Sequence, residues 1–184
     1  MENVGAVTFD ESAFLLPHDE VTEYKKFRLA YIALHELSHM WFGNLVTMKW
    51  WSDLWLKESF ADFMAVTCLM ESPELEMYKN PELLFVRFTH FALSSDIKST
   101  THPVFTTVNH TIDAVIAFDN ICYEKGACWI KLSNHFIGRD AFMAGCREYF
   151  SRFKYQNTEL KDFIDCLQIG LSRVGSNFSL KEWA

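Results

Sequence analysis

The chain has 184 residues, 49% hydrophobic and 16% aromatic, with a formal net charge of −7. That length and apolar content suit one domain with a sizeable core, and the seventeen Lys and Arg are too scattered for a phosphate-binding surface. Nucleic acid is therefore excluded as the expected partner. Five cysteines, Cys68, Cys122, Cys128, Cys146 and Cys166, form no C-x-x-C pair. They read as reduced core thiols, which points to a cytoplasmic address. Two glycosylation sequons, Asn109-His110-Thr111 and Asn177-Phe178-Ser179, point the other way, but the pattern is common by chance. No transmembrane run stands out in the sequence.

In chain order, residues 1 to 16 alternate and are β-branched between Val4 and Phe9, which predicts a strand at a sheet edge. A turn follows at 17–20. A helix is expected from about Val21 to Trp41, stopped by Gly43-Asn44. After an extended stretch from Leu45 to Trp51, a second helix runs from about Ser52 to Met70 with Ser52 as its N-cap. Residues 73–93 read as helix with a break near Asn80-Pro81, and the loose acidic run of Glu71, Glu74, Glu76 and Glu82 as a solvated helical face. A polar loop spans Lys98 to Asn109, where the lone His102 before Pro103 has a structural reading. A short helix begins at Thr111 and a longer one runs from Asp119 to about Ile137. Two more follow near 139–155 and 158–173, with Phe142, Cys146, Tyr149, Phe150 and Phe153 as core.

The chemistry concentrates in His35-Glu36-Leu37-Ser38-His39. Two histidines at i and i+4 share one helix face, so both imidazoles converge on one cation while Glu36 reaches the water beside it. A catalytic zinc keeps three protein ligands, and Glu58, eighteen residues beyond His39, supplies the third. Asp62 lies one helical turn after Glu58, placed to approach the outer nitrogen of a ligating histidine.

The stretch HELSHMWFGNLVTMKWWSDLWLKESFADF resembles the zinc signature of the M1 family of metallo-aminopeptidases, in the gluzincin group. Met1-Glu2-Asn3-Val4-Gly5-Ala6 is similar to that family's G-x-M-E-N strand from its methionine onward, and Phe118 to Ala127 to the segment carrying its catalytic tyrosine. The resemblance runs from residue 1 to about 183. It implies a mainly α (α+β), thermolysin-like catalytic domain, with an N-terminal edge strand before a helical lobe. Residues 1–184 would be part of that domain, in a longer chain with a β-rich domain upstream and helical domains downstream.

The resemblance further implies one Zn2+ per chain on His35, His39 and Glu58, Glu36 as general base and then acid, and Tyr123 as donor to the oxyanion. It implies Glu2 as the carboxylate that binds the free α-ammonium of a peptide substrate, with Asn3, Gly5 and Ala6 holding the peptide extended. The function expected is aminopeptidase hydrolysis. The alternatives are epoxide hydrolase chemistry on a similar zinc site, or an inert zinc-binding fragment.

Overall fold

The computed structural model describes residues 1–15, 17, 21–72, 80 and 82–183. It is mainly α-helical, as the sequence predicts. The helices are α1 (Glu11–Phe14), α2 (Glu23–Ser38), α3 (Leu54–Glu71), α4 (Glu82–Asp96), α5 (Thr111–Ile116), α6 (Gly126–Ile137), α7 (Arg139–Phe153), α8 (Leu160–Arg173) and α9 (Leu180–Trp183). Two three-residue strands, β1 (Val46–Met48) and β2 (Gln156–Thr158), pair in parallel with Thr47 opposite Asn157.

The N-terminal edge strand is not formed. The segment instead folds on itself: Met1 and Thr8 exchange two backbone hydrogen bonds, and Ala6 N–H bonds Asn3 C=O around Gly5, whose φ is +78°. β-branched alternation promotes a strand only where a neighbouring strand offers its edge, and among the described residues none lies beside Val4 to Phe9. The expected turn at 17–20 and the acids Glu74 and Glu76 lie largely or wholly outside the described residues.

Helix α2 starts where Thr22 accepts a hydrogen bond from Lys25 N–H, an N-cap worth about 1 kcal/mol. It ends at Ser38, three residues before the expected Trp41, because the chain must turn to aim the Phe42 ring inward. Gly43 takes φ +124°, a backbone setting that side chains resist, and the Thr47 hydroxyl donates to its carbonyl at 2.7 Å. Ser52 does not cap α3. Its hydroxyl accepts from Val108 N–H at 3.1 Å, and a 3₁₀ turn over Trp51–Asp53 leads into the helix at Leu54.

Helix α3 is the hub. It carries buried residues on nearly every face, from Leu54 and Trp55 through Phe60 and Ala65 to Leu69, as a helix covered all round must. Helix α2 covers one side, with α6 and the turn before it on another. The rings of Phe42 and Phe60 stack with centroids 3.6 Å apart, and Phe163 and Phe142 close on Phe60 at 5.0 and 6.0 Å. Burying each such ring contributes about 1.5–3 kcal/mol. The aromatic core thus fixes the end of α2 against α3.

Helices α7 and α8 form an antiparallel pair whose backbones touch. A Cβ on Gly170 would overlap Ala141 O and lie 2.6 Å from Gly145 N, and one on Gly145 would lie 2.7 Å from Leu167 Cα. Backbone cannot move aside as a flexible side chain does. Gly170→Ala is therefore expected to destabilise the protein by about 1–3 kcal/mol, lowering Tm by roughly 2–4 °C per kcal/mol at this length. A thermal melt with an unchanged midpoint would refute the close approach.

Candidate metal centre

The α2/α3 packing interleaves two polar stripes. Tyr31, His35 and His39 follow one another at four-residue intervals on α2 or its C-cap, and Glu58 and Asp62 do so on α3. The helices run antiparallel, so Glu58 meets both histidines and Asp62 meets His35 and Tyr31.

Three atoms close a triangle. His35 Nε2 lies 3.1 Å from His39 Nε2, and Glu58 Oε2 lies 3.4 Å from the first and 3.2 Å from the second. His39 Nδ1 lies 2.9 Å from Phe42 C=O, which can only accept, so the proton is on Nδ1. His35 Nδ1 donates in the same way to Asp62 Oδ1 at 2.7 Å. The two Nε2 atoms therefore face each other and a carboxylate oxygen, an arrangement that calls for a positive charge between them, either a proton on His35 or a metal cation. The structure brings His35, His39, Glu58 and Asp62 together, with His39, Glu58 and Asp62 all buried.

The electrostatics express the same demand. Burial opposes charge on His35, yet its hydrogen bonds to Asp62 and Glu58 prevail and raise it to about 9. Burial pushes the Glu58 carboxyl up, but hydrogen bonds from the two histidines and the Lys57 ammonium hold it well below the usual carboxylate range. Lys57 Nζ sits 3.0 Å from Glu58 Oε1 and also pairs with Glu2 Oε1. Its stem is confined by Gly43, where a Cβ would come within 3.3 Å of Lys57 Cδ.

Glu36 and Glu2 border the triangle, with carboxylate oxygens and a His39 nitrogen all within 4.8 Å of one another. Glu36 Oε2 is buried and accepts no hydrogen bond, its charged neighbour being the Met1 ammonium at 3.2 Å. Glu2 is held by Lys57 and by Asn44, whose Nδ2 donates to Glu2 C=O at 2.6 Å. Asn3, Gly5 and Ala6 lie exposed on the N-terminal turn, and Asn3 bonds within that turn, to Thr8 and Ala6. The structure does not bring these three into contact with the triangle.

Tyr123 arrives on a π-helical turn, Ile121–Lys125, where Lys125 and Gly126 N–H reach back five residues to Asn120 and Ile121. Such turns re-aim side chains at functional sites. The Ser59 hydroxyl ties this one to α3 by donating to Cys122 C=O at 2.6 Å. The Tyr123 ring stacks over His35 at 6.1 Å, with the Glu58 carboxylate close enough to act on its hydroxyl. Burial and the Glu58 charge raise it far above an ordinary phenol, so it stays a donor. His102 takes the structural part expected of it, joining Asp119 at 2.9 Å to its own loop through Pro103 C=O.

Tyr31, Lys57 and Glu124 are residues the sequence does not single out. The i, i+4 rule run backwards from His35 reaches Tyr31, whereas no local signal marks the other two. Glu124 lines a cleft between α2 and α4 with Arg28, Tyr31 and Arg87, and its Oε2 is buried without a partner. Burial first, then the Asp62 charge, raises it from 4.5 to about 7.

The folded state thus holds this proton more tightly than the unfolded one. Below pH 4.5 both states are protonated and nothing is lost. As pH climbs from 4.5 to about 7 the unfolded state alone ionises, and stability falls. Glu124→Gln should flatten that slope, gaining stability relative to the parent at pH 7 compared with pH 5. Parallel urea slopes for the two proteins across this range would refute it.

A model of the peptidase family M1 domain matches residues 1–183. Leucyl aminopeptidase of Saccharolobus solfataricus is 41% identical over 163 residues, covering 88% of this chain and 20% of its own length. Probable aminopeptidase 2 of Sulfurisphaera tokodaii is 39% identical, covering 100% of this chain and 23% of its own. Endoplasmic reticulum aminopeptidase 1 of Mus musculus is 38% identical, covering 88% and 17%. The chain spans about a fifth of the length of these curated relatives. Over that span, from the N-terminal turn to α9, the chain belongs to peptidase family M1.

Proposed function

We propose that residues 1–184 are part of the catalytic domain of a zinc aminopeptidase that releases N-terminal residues from peptides. The observation that carries the reading is the triangle of His35 Nε2, His39 Nε2 and Glu58 Oε2. Donor atoms on a tetrahedral zinc at ~2.0–2.1 Å are about 3.3 Å apart, and the three separations here are 3.1, 3.2 and 3.4 Å. Two neutral imidazoles and one carboxylate also form a donor set that suits zinc. Zinc held there supplies Lewis acidity to a scissile carbonyl and eases loss of a proton from water near neutral pH.

The other steps belong to the protein. Glu36, whose Oε2 beside the triangle accepts no hydrogen bond and faces the Met1 ammonium, accepts the proton of the attacking water and returns it to the leaving amine. Tyr123, held protonated and leaning over His35, donates to the oxyanion that develops on the carbonyl. Glu2 is the carboxylate for the substrate α-ammonium, which must share it with Lys57. Asn3 and the backbone of Gly5 and Ala6 are the stretch along which the peptide lies, a role that needs the turn to open. Aminopeptidase names among the relatives support the exopeptidase choice.

Protein purified without chelator is expected to carry one zinc per chain by elemental analysis and to cleave free-amine peptides in preference to acetylated ones. Glu36→Gln should keep the zinc while hydrolysis falls by about 10²–10⁴. Tyr123→Phe should lose about 10²–10³, mostly in kcat, as a contact made in the transition state does. Protein without zinc would overturn the reading. Zinc without turnover would leave an inert metal-binding fragment.

A further inference from the structure

We propose that Tyr31 is a positioning residue of the metal centre: its hydroxyl locks the Asp62 carboxylate, which in turn fixes the His35 ring with Nε2 aimed into the triangle. The inference rests on the zinc reading of that triangle. Tyr31 and His35 are one turn apart on α2, and both donate to the same oxygen, Asp62 Oδ1. One acceptor thereby ties two successive turns of α2 to α3. Asp62 is buried, and a buried carboxylate must be hydrogen-bonded to stay ionised. Among the described residues, Tyr31 and His35 are the donors recorded for it.

The choice of donor has a chemical reason. A Lys or Arg at this place would neutralise Asp62 and withdraw the negative charge that makes His35 Nε2 a strong ligand. A phenol holds the carboxylate in place and leaves its charge intact. Burial and the nearby Asp62 charge push the Tyr31 hydroxyl well above the usual range, so it stays a neutral donor. The ring is itself held, half-buried, against Phe88 at 6.0 Å and near His35 at 6.3 Å, so Tyr31→Phe removes one oxygen while keeping the packing. Glu124 adds a reason for a firm hold. Its charge above pH 7 lies close enough to Asp62 for the two carboxylates to repel, and an untethered Asp62 would swing away from His35.

Zinc affinity, read by competition with a chromophoric chelator, tests the relay in a form independent of turnover. Removing a hydrogen-bond partner of a metal ligand weakens metal binding about 10–100-fold. Asp62→Ala should fall in that range, and Tyr31→Phe, one step further out, should lose about tenfold. In an Asp62→Ala background Tyr31→Phe should add less than about twofold, because its effect passes through the carboxylate. Should that background not fold, the visible spectrum of the cobalt-substituted protein carries the test. Tyr31→Phe should then change the cobalt bands, since the His35 ring tilts, while the melting midpoint of the metal-free protein stays close to the parent's.

Unchanged affinity and unchanged cobalt bands in Tyr31→Phe would overturn the proposal. So would an equal loss with and without Asp62, which would make Tyr31 a packing residue. A parent protein that binds neither zinc nor cobalt would overturn the metal reading itself, before any variant is compared.

Discussion

Everything at this site depends on the register between α2 and α3. The side chains of α2 recur every four residues, and those of α3 do so in the opposite direction, so one relative shift of the helices decides which carboxylate meets which imidazole. A slide of one turn, about 5.4 Å, would put Asp62 between the two histidines and send Glu58 out of reach. What prevents it is apolar. Phe42 follows α2, stacks on Phe60 of α3, and offers its carbonyl to His39 Nδ1. One residue therefore sets the register through its ring and the His39 tautomer through its backbone.

The same economy appears at Tyr123. The π-helical turn would leave Cys122 C=O without its normal helical partner, and the Ser59 hydroxyl takes that bond. Ser59 is the neighbour of Glu58 in sequence, so the turn carrying Tyr123 and the helix carrying Glu58 cannot drift apart independently. Gly126 permits the approach, since a Cβ there would overlap Ser59 Oγ and lie 3.1 Å from the Trp55 ring. Preorganisation of this kind is what electrostatic catalysis requires, because donors fixed in advance cost no rearrangement when charge develops.

How much of this was legible in the sequence follows from the range of each signal. Helix periodicity is local, so α2, α3, α6, α7 and α8 were readable, as were His35, His39 and Asp62 through the four-residue rule. Tyr31 obeys the same rule, but a tyrosine on an amphipathic helix face has a sufficient explanation as core, so the spacing alone does not mark it. Lys57 and Glu124 owe their importance to neighbours far away in the chain, Glu2 and Asp62, and no window contains both partners. The N-terminal strand failed for the converse reason. Its alternation was real, but strand formation needs a second edge, and a sequence pattern does not say whether one lies alongside. The parallel pair of β1 and β2 joins residues 110 positions apart, and three residues each are too short to announce themselves.

Charge gives the site its direction. Glu2, Glu36, Glu58, Asp62 and Glu124 lie in or beside it, and Lys57 is an ammonium that touches Glu2 and Glu58. Carboxylates at such separations repel, and the buried ones lack water to screen them. The fold answers in three ways. Lys57 spans Glu2 and Glu58, Tyr31 supplies a neutral donor to Asp62, and Glu124 keeps its proton up to about pH 7. The remaining negative charge is concentrated where the two histidine Nε2 atoms converge, a field that favours a cation there over an anion. An incoming α-ammonium would meet the same field, and at Glu2 it would meet Lys57 as a competitor already in place. The strength with which such a site holds an amine is then set by a difference between two ion pairs rather than by the absolute strength of either.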